Sequence, residues 1–148
     1  MPGHAPSFNV TTGKTKVKLD RSGAARATFT VTNTSAQTLR GRLLARPGAQ
    51  TSPDWLLVVG ESVRDFAPNV PAQIVVQLSV PPGTPPGSYS FRLDAVSQVL
   101  PDEDFTEGPS VTFEIKPPPK PRKPIIPLIV VIVGVIVLLV VIGVLASK

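Results

Sequence analysis

A cluster of four acidic residues is the feature of this chain that most resembles a metal-binding or catalytic motif. Asp102, Glu103 and Asp104 are consecutive, and Glu107 follows three residues later. Carboxylate oxygens in one loop are ligands that Ca²⁺ accepts, which makes this loop a weak candidate metal site. The spacing lacks the alternating ligands and the mid-loop glycine of an EF-hand. We therefore predict a solvated hairpin loop, with a basic partner or calcium as the alternative ligands.

The remaining side chains argue against an enzyme. His4 is the only histidine and stands in a Pro- and Gly-rich terminus, and the chain has no cysteine. A Ser–His–Asp triad, a histidine base and a thiolate metal site therefore lack the residues they need. Gly83 and Gly87 lie among prolines with no predicted helix after them, which argues against a phosphate-binding loop. We predict a non-enzymatic protein without a cofactor.

Three residues are candidates for binding a protein partner. Trp55 is the only tryptophan; we expect it at a core or sheet-edge position, with an exposed anchor for a partner as the alternative, since this residue type is common at interface hot spots. Arg40 and Arg42 share one face of a predicted strand with Arg46, where they would present a basic edge to an acidic partner. A solvated edge strand that resists aggregation accounts for the same arginines.

Most of residues 8–116 alternate between apolar and polar side chains, which is the period of half-buried antiparallel strands. No apolar stripe with helical period runs through this part of the chain. We predict an all-β domain with seven to eight short strands in a two-sheet sandwich. The clearest alternations cover residues 27–32, 73–80, 88–95 and 110–116, and weaker ones cover 8–10, 17–19, 39–45 and 55–59.

Two segments make this fold more specific. Phe29–Thr34 indicates a strand entering a turn, and Val80–Leu93 indicates a strand end, a turn with four prolines, and a new strand beginning near Tyr89. With these segments, residues 8–116 resemble the bacterial immunoglobulin-like domains related to fibronectin type III, in particular the CARDB-type domains and those attached to glycosidases. The resemblance implies an immunoglobulin-like sandwich, with Tyr89 in a tyrosine corner.

The C-terminal part of the chain is apolar over a length that matches a membrane. Leu128–Ala146 supplies 19 consecutive apolar or glycine residues, about 28 Å of helix at ~1.5 Å per residue, against a hydrocarbon layer of ~30 Å. We predict a flexible N-terminus over 1–7, the sandwich over 8–116, and a single transmembrane helix over 125–146 with a tail at 147–148. Residues 117–124 hold five prolines and predict a stiff basic stalk of about 25 Å at ~3.1 Å per residue.

The excess positive charge lies beside this predicted span. The net charge is +5, but residues 1–116 hold 11 Lys and Arg against all 10 Asp and Glu. Lys116, Lys120, Arg122 and Lys123 precede the span and Lys148 follows it, which predicts a cytoplasmic N-terminal domain by the positive-inside rule. Such charges attract anionic headgroups. No aromatic residue lies among them to stack on bases, which argues against nucleic-acid binding. With no signal sequence at the N-terminus, we predict a tail-anchored protein of the cell membrane.

These predictions combine into one function and two alternatives. The chain is expected to be a non-enzymatic, single-pass membrane protein whose immunoglobulin-like module tethers or recruits a protein partner near the bilayer. A structural accessory subunit of a membrane complex and an exported cell-surface adhesion domain are the alternatives. The lipid bilayer and a protein are the expected partners, and the sequence does not fix an oligomeric state.

Overall fold

The structure is a computed structural model that describes residues 5–119 and 126–147, with side chains in residues 5–119 and 132–147. It divides into two compact units, Met1–Pro117 and Pro118–Lys148. Within the described residues, the second unit holds one helix and the first holds nine strands and a short 3-10 turn. These elements are β1 (Phe8–Thr12), β2 (Lys16–Val17), β3 (Ala24–Asn33), β4 (Leu39–Pro47), the turn (Pro53–Trp55), β5 (Leu56–Val58), β6 (Val63–Phe66), β7 (Pro71–Ser79), β8 (Gly87–Ser97), β9 (Phe105–Ile115) and α1 (Ile126–Ala146).

The strands form two sheets, so the predicted all-β, two-sheet architecture is confirmed. One sheet has the order β1-β3-β7-β5 and the other has the order β2-β9-β8-β4-β6. Neighbouring strands pair antiparallel except β2 and β9, which pair parallel. The prediction of seven to eight strands missed β6. Its four residues include two charged ones, and so short an alternation does not stand out in the sequence.

The hydrophobic core lies between the sheets and is built from the predicted inward faces. Phe29 on β3 packs edge-on against Phe91 on β8, with ring centroids 6.3 Å apart, and Phe91 lies 6.1 Å from Phe113 on β9. Ile74, Val76 and Leu78 alternate inward along β7 and are buried. The Tyr89 hydroxyl donates a hydrogen bond to the carbonyl oxygen of Pro85 at 2.7 Å, which closes the proline-rich turn onto the start of β8.

The hairpin between β8 and β9 differs from the prediction. The loop covers residues 98–104, and β9 begins at Phe105 rather than near Ser110. The pairing register shifts between Arg92 and Asp94, where β9 carries one extra residue in a β-bulge at Gly108–Pro109. Proline has no N–H for the ladder, and a Cβ at Gly108 would collide with the carbonyl oxygen of Leu93.

This bulge reverses which residues of β9 face outward. Val111 and Phe113 are buried, whereas Phe105, at the same odd spacing, is 49% exposed. One extra residue moves every following side chain to the other face of the sheet. The alternation over residues 88–95 would place Asp94, opposite the bulge, on the exposed face, but it is buried because the side chains of Arg92 and Arg46 contact it.

The two ends of the sandwich carry different loops. At the C-terminal end, β9 finishes at Ile115 and the turn of residues 80–86 joins β7 to β8. At the opposite end, which we call the distal end, three loops meet beside the start of β1. Hydrogen bonds join two of them to neighbouring strands, from the Asn69 N–H to the carbonyl oxygen of Asn33 at the end of β3 at 2.7 Å and from the Gln98 N–H to the carbonyl oxygen of Arg40 on β4 at 2.9 Å. These loops cover residues 34–38, 67–70 and 98–104.

The second unit contains the helix α1, at the position where the sequence predicts one. Among the residues that the structure describes, no helix is long and apolar enough to cross a membrane. The predicted basic flank at Lys120, Arg122 and Lys123 lies outside the described residues, as does His4.

Candidate protein-interaction surface

The outer face of the five-stranded sheet carries an apolar surface near the distal end. Arg42 on β4 pairs with Val96 on β8, and Val96 pairs with Phe105 on β9, so the three side chains lie in one row on the same face. Beyond this row, Val99 and Leu100 at the tip of the hairpin are 71% and 45% exposed. We call these five residues the distal patch.

The tip of the hairpin is held by its own backbone. The N–H groups of Glu103 and Asp104 both donate to the carbonyl oxygen of Leu100, at 3.2 and 2.8 Å. The Ser97 N–H donates to the carbonyl oxygen of Asp104 at 2.9 Å. A loop closed in this way loses little conformational freedom when a partner binds, which favours its use as an interaction surface.

The acidic residues of this loop do not converge. Asp104 is buried, and its Oδ1 accepts a hydrogen bond from the Ser7 N–H at 2.7 Å. The Glu107 Oε1 lies 3.1 Å from Nη2 of Arg92. Among the described residues, no group of three or more histidine, cysteine, aspartate or glutamate side chains is placed to hold a metal ion.

Asp104 stabilises the fold, whereas the exposed carboxylates of the loop border the distal patch. Its bond to Ser7 ties the N-terminal segment to a residue 97 positions later in the chain. Asp102 and Glu103 are exposed. They place negative charge on the same loop as Val99 and Leu100.

Arg92 and Asp94 form an ion pair beside the bulge. The Arg92 Nε donates to Asp94 Oδ1 at 2.9 Å, and Arg46 Nε lies 3.6 Å from Asp94 Oδ2. The Gly108 N–H approaches the same Oδ1 at 3.4 Å. The hydrogen bond to Asp94 raises the pKa of Arg92. Because these contacts bridge β4, β8 and β9, we assign this group of charges to holding the bulge rather than to binding a ligand.

The other predicted binding residues lie at separate places. Arg40 is exposed and pairs with Asp65 at 3.2 Å, whereas Arg42 makes no ion pair with any described residue and joins the distal patch. Trp55 is half-buried at the C-terminal end, where its ring lies 5.8 Å from that of Tyr89. Trp55 and the distal patch are therefore at opposite ends of the sandwich.

Phe105, Val99 and Leu100 were not recognised as binding residues from the sequence. Extending the alternation of Val111 and Phe113 backwards would have buried Phe105. The sequence signal that could have indicated the change of face is Gly108–Pro109, because glycine and proline inside a strand pattern often mark a bulge.

No family model matches the chain, and no curated protein matches it. Among solved structures, it is similar to a family 123 glycoside hydrolase from Clostridium perfringens, with a TM-score of 0.60, 10% identity, and 77% of this chain and 28% of that chain covered. It is similar to a FixG-related protein from Vibrio parahaemolyticus, with a TM-score of 0.54, 13% identity, and coverage of 76% and 100%. It is also similar to the E. coli chaperone DraB, with a TM-score of 0.52, 14% identity, and coverage of 77% and 58%.

The identities in these comparisons are low, so the similarities concern the fold alone. The matched region corresponds in size to the sandwich, and the matched proteins are bacterial. They support an immunoglobulin-like β-sandwich for the first unit.

Proposed function

We propose that this protein is a non-enzymatic, membrane-tethered interaction module, whose immunoglobulin-like sandwich recruits a protein partner through the distal patch. The observation that carries the proposal is the composition of the patch: an exposed Phe105 and an Arg42 without an ion pair among the described residues flank Val96, next to two exposed aliphatic side chains. Aromatic and arginine side chains supply much of the binding energy at protein interfaces.

The negative charge beside the distal patch indicates which kind of protein surface would bind there. Asp102 and Glu103 border the apolar tip and are exposed. A partner that buries Phe105 and Leu100 would bring its own surface close to these carboxylates. We therefore expect a protein surface with an apolar pocket and basic residues beside it, because opposite charges at the rim steer association and exclude other partners.

The membrane tether is supported by the sequence of the second unit. The apolar run extends over Leu128–Ala146, whereas the described side chains of α1 begin at residue 132. Those side chains are exposed, from Ile132 to Leu145. A helix that is apolar on all sides is stable when lipid or other protein covers it. The basic residues before the run favour a cytoplasmic sandwich.

A non-enzymatic role is supported by what the titratable groups contact. The two buried carboxylates of the sandwich, Asp94 and Asp104, are both engaged, with arginine and with the Ser7 N–H respectively. Carboxylates held in this way by arginine and by a backbone N–H are committed to structural contacts, which argues against their use in general acid–base chemistry.

Site-specific photo-cross-linking tests the proposal. A photoreactive amino acid at position 105 of the full chain, in cells of the source organism, should give one discrete cross-linked protein. The matched probe at Ser110, which is exposed on the outer face of the same strand beyond the bulge, should give none. Equal adducts at both positions, or none at position 105, would contradict the assignment of the patch.

The same experiment tests whether the tether matters. Replacing Val135 and Leu139 by arginine should remove the chain from the membrane, because a charged residue at the centre of a span costs about 3 kcal/mol. The adduct at position 105 should then decrease, since tethering raises the effective concentration of a membrane-bound partner. An unchanged adduct would mean that recruitment does not depend on the helix.

A further inference from the structure

A basic cleft lies at the C-terminal end of the sandwich, away from the distal patch. It has a volume of about 300 Å³ and lies between β2 and β9. The Thr112 N–H donates to the carbonyl oxygen of Thr15 at 2.8 Å and holds the two strands together. Val17 is half-buried and contributes apolar surface to the cleft, whereas the adjoining Phe113 is buried in the core. Its charged lining consists of Lys16, Lys18, Glu114 and Lys116.

Within the part of the chain that the structure describes, the lysines of this cleft have no ion-pair partner. All ion pairs of the described residues involve arginine, so the three lysines have no carboxylate partner in that part of the chain. Glu114 is the only acidic residue in the lining. Several ammonium groups around one concave surface repel one another, and a bound anion relieves that repulsion.

A second groove extends the same basic surface. It shares Val17 with the first cleft and adds Lys14 and Arg26 to the lining. Both basic side chains are exposed. The negative charge of Asp102 and Glu103 lies at the distal end, so the sandwich has a basic end and an acidic tip.

We infer that the cleft of Lys16, Lys18 and Lys116 binds the phosphate of an anionic phospholipid headgroup. Lysine binds phosphate as a point charge, and the volume is at the small end of the range for ligand pockets, as expected for a headgroup. The inference rests on the proposed membrane tether, which supplies the lipid.

The length of the linking chain limits how far the cleft can lie from the predicted span. Lys116 is 12 positions before Leu128, the first residue of the apolar run, so the two are at most about 40 Å apart even when the chain between them is fully extended. Lys120, Arg122 and Lys123 lie between them and attract the same lipids.

Lysine acetylation of the full chain in lipid nanodiscs tests this inference. One set of discs is pure phosphatidylcholine, and the other is an equimolar mixture with phosphatidylglycerol. We expect the acetylation rates of Lys16, Lys18 and Lys116, read by mass spectrometry, to be about fivefold lower in the mixed discs, the effect of ~1 kcal/mol per headgroup contact. Equal rates in both discs would overturn the inference.

Substitutions distinguish protection by binding at the cleft from protection by the net charge of the protein. Glu114→Gln should deepen the protection by removing the one repulsive carboxylate, and Lys18→Gln should reduce the protection of Lys16 and Lys116. The matched variant Arg40→Gln/Arg64→Gln lies on β4 and β6, across the sheet from β2, and should leave the protection unchanged. An equal loss in this control would assign the effect to net charge and overturn the site.

The source of the phosphate is tested in the same discs. Glycerol 3-phosphate or inorganic phosphate, added to the phosphatidylcholine discs, should not protect the lysines. Protection equal to that in phosphatidylglycerol would assign the cleft to a soluble phosphate compound and overturn the lipid assignment. A chain that does not co-purify with discs at all would instead contradict the proposed tether, so the two failures are distinguishable.

Discussion

Two phenylalanines in neighbouring strands show how position decides the role of a residue. Phe91 is 1% exposed in the core, and Phe105 is 49% exposed on the outer face. Phe91→Ala empties a packed site and should lower the free energy of unfolding by about 3–5 kcal/mol. Phe105→Ala should change it by less than about 0.5 kcal/mol, as expected for a surface position.

Urea unfolding of the full chain in detergent measures both changes, with the wild-type chain as the reference. A large loss of stability in Phe105→Ala would mean that this ring belongs to the core. The distal patch would then lose its central residue.

For single residues, the sequence predicted burial correctly in strands where apolar and polar side chains alternate regularly. Phe29, Val76 and Phe91 are buried as the pattern predicts. Asp94 was misplaced, because the sequence cannot show that two arginines from different strands cover its carboxylate. Alternation also places Arg92 on the outer face, but it does not show that this side chain pairs with Asp94 and Glu107.

At the scale of elements, the bulge in β9 is the feature that positions the distal patch. A methyl group at position 108 collides with the Leu93 carbonyl and with Val10, so Gly108→Ala must shift the backbone. We expect a loss of stability of about 1–3 kcal/mol, the range for overpacking. Gly13→Ala, which meets nothing within 4 Å, is the matched control and should be nearly neutral.

The same variant should weaken the function proposed for the patch. A displaced bulge reorients Phe105, so photo-cross-linking from position 105 should decrease in Gly108→Ala and persist in Gly13→Ala. Normal cross-linking together with a destabilised fold would show that the bulge serves packing alone.

The elements were predictable to different degrees. Strands with a continuous alternation, such as β3, β7 and β8, were located from the sequence because one face of each is apolar. The short edge strand β6 and the first half of β9 were missed. β6 has too few residues to show a period, and the bulge at Gly108–Pro109 interrupts the period of β9.

At the scale of the whole molecule, charge and apolar side chains are distributed unevenly along the chain. The sandwich has a nearly balanced charge, with an acidic, apolar tip at one end and a lysine cleft at the other. The apolar run and its basic flank follow in the sequence. The sequence could predict this order of segments, but the tip and the cleft each join residues that are far apart in the chain, and only the folded topology brings them together.

Membrane topology is the central claim, because recruitment to a bilayer and headgroup binding both depend on it. The native chain has no cysteine, so Ser110→Cys and Ser147→Cys each introduce a single thiol, one on the exposed face of β9 and one beyond α1. We predict that a membrane-impermeant maleimide labels Ser147→Cys but not Ser110→Cys in intact cells, and labels both after lysis. Labelling of Ser110→Cys in intact cells, or of neither variant, would contradict the account.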